Sequence, residues 1–376
     1  MVNLISNINL KGDRTIWGVV FALSLFSLLV VYSTAGWAYL FKHFIKLAIG
    51  IIAMYIVHNI KFKYFSKIGQ LTYFLSIALL ILVLLIGVSI NGASRWITIA
   101  GLQFQPSDIA KLAVLLYIAR QLSIKRDVLV SFKNVVRYIL LPLVIICFLI
   151  LPNNFSTSAL IFINGIALMF IANIKLKHIC LIISFSILSI LSIYFFTKYT
   201  SLGEKIIPRS ITWVSRIDAY IFDNDDYNHS KDFQQIQALV AIQNGGVQGV
   251  GPGKSIQRSI LPYSSSDFIF AIIIEEYGIV GGICIVLAYL ILFFRAIRIS
   301  LNTNSVFASL VTVGIVFSMV LQALINMLVS VGIMPVTGQT LPLISMGGTS
   351  IVFTCISIGI VLSISRDASD RNYEKI

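Results

Sequence analysis

The sequence reads as an all-α, polytopic integral membrane protein with about ten transmembrane helices and one long extracytoplasmic loop. Three observations predict this. Hydrophobic residues make up 58% of the chain and charged residues only 11%, with a mean hydropathy of +0.93, outside the range of soluble domains. Apolar stretches of roughly 20 residues, enough to cross the hydrocarbon core, recur from one end to the other. Backbone polar groups in lipid must be satisfied within the segment, so these stretches are helices. Finally, the basic residues behind the net charge of +13 sit in bands between the apolar runs. That is the positive-inside signal and not a nucleic-acid-binding face.

Hydropathy places the spans at 15–33, 44–60, 70–88, 107–123, 136–151, 157–173, 179–197, 277–294, 305–328 and 349–364. The first run is followed by Ser33-Thr34-Ala35-Gly36 without a processing site, so it is expected to be a retained span. The second carries Lys46 and the fourth Asp108 and Lys111, which lowers their hydropathy. With the N-terminus inside, the inner side collects Lys11, Arg14, Lys61, Lys63, Lys67, Arg120, Lys125, Arg126, Lys133, Arg137, Lys175, Lys177, Arg295, Arg298, Arg366, Arg371 and Lys375. The short outer loops hold little beyond Lys42 and Arg95. Both termini are therefore expected to be cytoplasmic. Cys147, Cys180, Cys284 and Cys355 all fall in apolar runs and show neither metal spacing nor a disulfide framework.

Residues 198–276 form a long, polar, exported connection between the seventh and eighth spans. Its amphipathic stretches Ile211–Phe222 and Gln234–Gln243 predict short helices lying at the membrane surface. No further soluble domain is expected within 1–376. The run Gly249-Val250-Gly251-Pro252-Gly253-Lys254-Ser255 invites a phosphate-loop reading and fails on register. A P-loop needs a glycine where Gln248 stands. Glycine-rich backbone approaching a ligand, or simple turn formation, stays open.

Four further places carry chemistry. Asp267, in Ser265-Ser266-Asp267-Phe268-Ile269, stands where the outer loop enters a span. A carboxylate in that half-dry position can act as a base, or it can cap a helix. Glu275 and Glu276 are adjacent, point about 100° apart on a helix, and cannot both face one cavity. Asp108 and Lys111 share a helix face, which suits a local ion pair, or with Arg95 and Trp96 a cationic entrance. Trp96 also fits an interfacial belt. The last outer connection, 331–350, is uncharged, apolar and rich in Gly, Pro, Ser and Thr. It cannot be one regular helix, and irregular backbone at that depth must be packed in protein or line a cavity.

These segments together resemble the SEDS family (shape, elongation, division and sporulation), which includes the FtsW and RodA proteins, over essentially the whole chain. The marks, in family order, are Asn91-Gly92-Ala93-Ser94-Arg95-Trp96-Ile97; Gln105-Pro106-Ser107-Asp108 with Lys111; Gly249, Gly251, Gly253, Ser255 and Gln257; Ser266-Asp267-Phe268 with Glu275-Glu276 and Gly278; and Met334-Pro335, Gly338, Leu341 to Ser345 and Gly347-Gly348. Gly12-Asp13-Arg14 and the turn from Pro152 to Thr157 look nearer to the division-type FtsW than to RodA. Many members have Pro-Asp-x-Gly-Thr at that turn, where this chain has Asn153-Asn154-Phe155-Ser156, so no catalytic role is assigned to it. Many also have Pro-Glu shortly before the essential Asp, where this chain has Pro262-Tyr263.

The resemblance implies a multi-pass protein of the bacterial inner membrane that polymerises lipid II into peptidoglycan glycan strands. Asp267 matches the family's essential carboxylate. The implied partners are a monofunctional class B penicillin-binding protein transpeptidase, other divisome or elongasome membrane proteins and membrane lipid, with no nucleic acid. Transfer from a pyrophosphate-linked donor needs a base and neutralisation of the leaving group. Asp267 is the candidate base, and Arg95, Lys111, Arg209 and Lys254 are candidate counter-charges. The candidate substrate-binding set adds Trp96, Ser255, Gln257, Glu275, Gly338, Ser345, Gly347 and Gly348. No tightly bound cofactor is expected; a divalent Mg or Mn held partly by substrate phosphates would assist. Two other classes compete. A flippase of the lipid-linked precursor would need charged residues through the bilayer centre, where few stand. A non-catalytic division scaffold would leave the loop-borne Asp beside a basic patch without a role.

Overall fold

The computed structural model describes residues 11–90, 93–99, 102–200, 210–222 and 229–373. Eight helices in it are long and apolar enough to cross a membrane: α1 (Arg14–Ala35), α2 (Trp37–Asn59), α3 (Lys63–Ile86), α5 (Phe132–Ile150), α7 (Leu176–Tyr199), α11 (Ile269–Leu301), α12 (Val306–Ser330) and α13 (Ser350–Tyr373, apolar to Ala368). The other two predicted spans are also helical. The fourth, α4 (Pro106–Ile124), carries Asp108, Lys111 and Arg120, and the sixth, α6 (Phe155–Ile171), has only 17 residues. Such a helix rises about 25 Å, short of the hydrocarbon thickness. Helix α2 starts before the predicted 44 because it continues through Lys42, His43 and Lys46, which hydropathy discounts.

Between α3 and α4 lies a small antiparallel sheet in the order β1 (Val88–Ile90), β2 (Ala93–Ile99), β3 (Leu102–Phe104). Sequence periodicity did not predict it, because β1 and β3 have only three residues each and β2 does not alternate cleanly between apolar and polar residues. Its register pairs Ile97 with Phe104 and Val88 with Trp96.

The long connection holds α8 (Ser210–Phe222), α9 (His229–Gly245) and the short α10 (Gln257–Ile260). Helix α9 does not simply lie on the membrane surface. Its Ala238 and Ala241 are fully buried in a cluster with Phe268, Ala271 and Ile272 of the segment leading into α11. Small side chains on that face let the two backbones approach closely, and the packing overrides the surface preference of the amphipathic pattern.

Helix α1 runs antiparallel to α11, and polar contacts at both ends fix their register. At one end Asp13 caps α1, accepting from the amides of Thr15 (3.0 Å) and Ile16 (3.1 Å), while its other oxygen takes Arg295 Nε at 2.8 Å. There too the Arg366 guanidinium donates to the His58 carbonyl at 2.8 Å, closing α13 on α2. At the opposite end the Ser33 hydroxyl donates to Glu276. The Asp267 end of the bundle is therefore the one remote from Arg295 and Arg366.

Helix α11 is broken at Gly278, whose backbone (φ 71°, ψ −176°) leaves the helical region. The run 269–277 is a half-helix buried in protein, and 279–301 is the span. The amide groups freed or exposed by the break are met by the glycine loop: Val250 N donates to Glu275 O (2.9 Å), Gly251 N to Glu276 O (3.0 Å) and Ile279 N to Gly246 O (3.0 Å). Two glycines make this approach possible. A Cβ on Gly278 would stand 2.1 Å from Val247 O, and one on Gly249 2.3 Å from Glu276 O.

This contact can be tested by stability. Gly278→Ala forces both a left-handed alanine, costing about 1–2 kcal/mol, and a backbone clash. Gly253→Ala (φ 75°) has no atom within 4 Å of the new Cβ and carries the conformational cost alone. Thermal unfolding of the purified protein should show a clearly larger drop in midpoint for Gly278→Ala; equal drops would mean that the loop yields freely.

Candidate active site

Asp267 sits in a run of turns at 262–268, immediately before α11. Tyr263 carries the turn. Its carbonyl accepts the amides of Ser266 (3.0 Å) and Asp267 (3.1 Å), and its φ of 60° is an uncommon conformation for a bulky residue. Phe268, 1% exposed, anchors the far side in the cluster beneath α9.

The irregular connection 331–349 clasps this turn. Asn326 of α12 donates from Nδ2 to the carbonyls of both Asp267 and Gln339, each at 2.7 Å. The Ser345 hydroxyl donates to Ser266 O (2.6 Å) and accepts Leu341 N (2.7 Å). Met346 N donates to Ser265 O at 2.8 Å. Leu341, Leu343 and Ile344 are buried, and Leu343 also has a positive φ of 65°. The loop is thus packed in protein, and it is held as tightly to the Asp267 turn as a regular element would be. At Gly338 (φ 66°) its backbone passes the carboxylate so closely that a Cβ there would lie 3.4 Å from Asp267 Oδ2.

Burial pushes the Asp267 carboxyl above the ordinary carboxylate range; a hydrogen bond from Ser266 and the charges of Arg95 and Arg216 oppose it. The two guanidiniums approach from different elements. Arg95 of β2 is oriented by its Nε bond to Asn153 O (2.8 Å), and Arg216 of α8 by a bond to Val336 O (2.7 Å). Both line a largely apolar cavity of about 280 Å³, walled by α6, the C-terminal part of α7, α8 and residues 334–337. The turn at Asn153-Asn154, which lacks the acid common among relatives, forms part of this wall; Asn154 caps α6, accepting Thr157 N at 3.2 Å.

Other candidates from the sequence fall elsewhere. Trp96 packs over Gly348, 3.3 Å from where its Cβ would be, and Gly347 lies against Thr340 and Ser350. Lys111 points into the bundle, where its ammonium donates to Gln322 Oε1 (2.7 Å), and Gln322 Nε2 donates to Thr340 O (2.9 Å). The Asp108 carboxylate instead takes the Thr349 hydroxyl (3.3 Å). Lys111 and Asp108 share a separate, small cavity of about 40 Å³, so Lys111 and Arg95 do not form one entrance. Ser255, Gln257 and Glu275 are brought to each other: the Ser255 hydroxyl and the Ile256 and Gln257 amides (3.2 and 3.4 Å) all donate to the Glu275 carboxylate. Lys254 is exposed on the glycine loop, and Arg209 lies outside the described residues.

Among the described residues no three His, Cys, Asp or Glu side chains converge as a metal site. Beside Asp267 the neighbouring charges are two guanidiniums, which do not suit a resident divalent ion. Sequence reasoning missed Arg216, Asn326, Gln322 and Gln339. Gln322 and Asn326 had a readable signal, since they stand four apart on one face of an otherwise apolar helix.

A bundle of apolar helices with a loop-borne carboxylate beside two cations, at the end opposite its basic face, defines a polytopic membrane protein. The chain belongs to the cell cycle protein family of FtsW, RodA and SpoVE, whose signature matches residues 11–370. It is 33% identical over 355 residues to stage V sporulation protein E of Bacillus subtilis, covering 90% of this chain and 93% of that one. To the probable peptidoglycan glycosyltransferase FtsW of Buchnera aphidicola it is 30% identical over 390 residues, covering 98% and 97%. Among solved structures, a chain of a peptidoglycan synthase complex that coordinates polymerization and crosslinking shares the fold with a TM-score of 0.79 at 23% identity, covering 95% of this chain and 98% of that one. The rod shape determining protein RodA of Thermus thermophilus does so at 0.69 and 22%, covering 95% and 97%.

The clasp makes Asn326 a positioning residue. Asn326→Ala leaves two buried carbonyls without their donor, a loss of about 1–3 kcal/mol, and frees the Asp267 turn. Turnover should fall at least tenfold with the protein still folded in the membrane. Wild-type turnover in this variant would show that the turn is held without it.

Proposed function

We propose that this peptidoglycan glycosyltransferase extends glycan strands from lipid II at the outer face of the bacterial inner membrane, with Asp267 as general base. The single observation that carries the assignment is the half-buried Asp267 carboxylate held on a clasped turn against Gly338, with the Arg95 and Arg216 guanidiniums as its neighbouring charges. In the step proposed, the acceptor sugar hydroxyl attacks the anomeric carbon of the donor. Its proton passes to Asp267 as the new glycosidic bond forms. The bond from that carbon to pyrophosphate breaks, and the polyprenyl pyrophosphate departs with the electron pair, its charge met by Arg95 and Arg216. The apolar cavity that these arginines line gives the polyprenyl chain a place beside the reacting atoms.

The basic bands gather at the end of the bundle carrying Arg295 and Arg366, which supports an orientation with both termini in the cytoplasm. That leaves Asp267 outside, where wall synthesis occurs. We count α4 and α6 as crossings, which makes ten and returns the chain to the side where it began. The naming of curated relatives as FtsW supports a role in cell division. A class B penicillin-binding protein transpeptidase is the partner proposed, from the fold shared with a polymerizing and crosslinking complex. Lys111, Ser255, Gln257 and Glu275 are assigned to supporting the loops, and Arg95, Arg216 and Gly338 to the substrate. Any divalent ion would arrive with the substrate's phosphates, and no step depends on it.

Asp267→Asn keeps the size and a hydrogen-bonding oxygen but cannot take the proton. Glycan polymerisation from purified lipid II should fall at least about a hundredfold, with thermal stability and transpeptidase binding unchanged. Activity close to wild type would remove Asp267 as the base.

A further inference from the structure

A second concavity at the Asp267 end belongs to neither the cavity of Arg95 and Arg216 nor the small one at Lys111. It is an open groove of about 690 Å³ between the α1–α2 corner and residues 252–259, with Tyr277 on its wall. The corner exists because Gly36 (φ 78°) lets α2 begin directly after α1. It presents two aromatic faces: Tyr32 and Trp37 stand at 89° with centroids 6.1 Å apart, 53% and 74% exposed. Interfacial belt residues would account for these rings alone. They do not account for the floor.

That floor is pinned and nearly charge-balanced. Arg258 reaches across and donates to Ser33 O at 2.8 Å, and Ser33 donates its hydroxyl to the buried Glu276 carboxylate, which Arg258 also faces. Ser259 and the backbone of Gly253 add polar groups at the wall. Arg258 and the hydroxyls of Ser33 and Ser259 line the groove, while the buried Glu276 carboxylate beneath them offsets the guanidinium charge, so the wall offers hydrogen-bonding groups with little net charge to attract a free anion. Flat aromatic faces, a planar guanidinium and hydroxyls in an elongated groove fit the ring faces and hydroxyl or amide edges of a saccharide. An anionic lipid headgroup would instead ask for unpaired cations.

The groove is coupled to the candidate active site. Ser264 donates to Arg258 O at 3.1 Å, joining the floor to the turn that bears Asp267. The half-helix 269–277, which rises roughly 12 Å, runs from the Asp267 turn to Tyr277 on the groove wall. We infer that this groove binds the saccharide backbone of the growing glycan strand, with Trp37 and Tyr32 as the stacking platform. This rests on the polymerase reading above. A strand held here between transfers stays on the enzyme, so the groove governs strand length.

The test uses the full chain in lipid nanodiscs. A β-1,4-linked N-acetylglucosamine tetramer is titrated by saturation-transfer NMR, and separately the length of strands made from lipid II is read on gels, for wild type, Trp37→Ala and Tyr32→Ala/Trp37→Ala, with thermal midpoints measured alongside. Saturable tetramer binding by wild type, weakened at least fivefold in folded variants, together with strands at least twofold shorter, is the result expected. Wild-type strand length in the double variant, or tetramer binding that is absent or unaffected, overturns the inference. Wild-type protein that makes no strands at all would fail the polymerase reading, while the titration still reports on the groove by itself.

Discussion

Backbone that is neither helix nor closed sheet can exist at membrane depth only if other protein groups take its hydrogen bonds, and the site is built under that constraint. Two irregular segments, 262–268 and 331–349, meet there. Their backbone groups are tied by two side chains: Asn326 of the neighbouring α12 bridges the Asp267 and Gln339 carbonyls, and Ser345 bridges Ser266 O and Leu341 N. The broken α11 is solved in the same way, with the glycine loop 246–251 taking up the carbonyls around Gly278. The Asp267 turn is therefore tied at several points without being regular. Each of the two segments carries one non-glycine residue at positive φ, Tyr263 in the first and Leu343 in the second; such backbone strain tends to occur at functional sites.

Charge placement follows from the same economy of partners. Buried ionisable groups at the Asp267 end have specific polar environments: Glu275 in the α10 turn, Glu276 with Ser33, Lys111 with Gln322. Asp267 differs in that its carboxylate faces cations carried by β2 and α8 beside a cavity. A group whose charge is met inside the fold holds the fold; the charges beside Asp267 belong to two guanidiniums that themselves line a cavity. That distinction separates Asp267 from the two glutamates more clearly than their sequence neighbourhood does.

Much of the architecture was legible in the residues. Apolar length gave the helices, and the charge bands gave a common orientation that the antiparallel α1 and α11 agree with. The irregularity of 331–350 followed from Pro335, Pro342 and its glycines. What escaped was information carried by pairing. The three short strands are defined by cross-strand bonds, the docking of α9 by Ala238 and Ala241 meeting a segment some thirty residues away in the sequence, and the kink at Gly278 by contact with Val247. In the site, Asp267 and Arg95 stood out as charges in an uncharged region. Arg216 sat among other charges of a polar loop, and Lys111 looked like a partner for Asp108 because helical spacing cannot show that Gln322 reaches it first.

The central claim is that Asp267 works as a base whose proton affinity is set by burial against two guanidiniums. Its most direct test is the pH dependence of single-turnover glycan transfer in wild type and in Arg216→Gln. Activity should rise with pH through the folded pKa of Asp267, along an acid limb lying above the ordinary carboxylate range. Removing a cation that favours the ionised form should move that limb to higher pH. An acid limb that stays in place in Arg216→Gln, or one absent from wild type, would contradict the account.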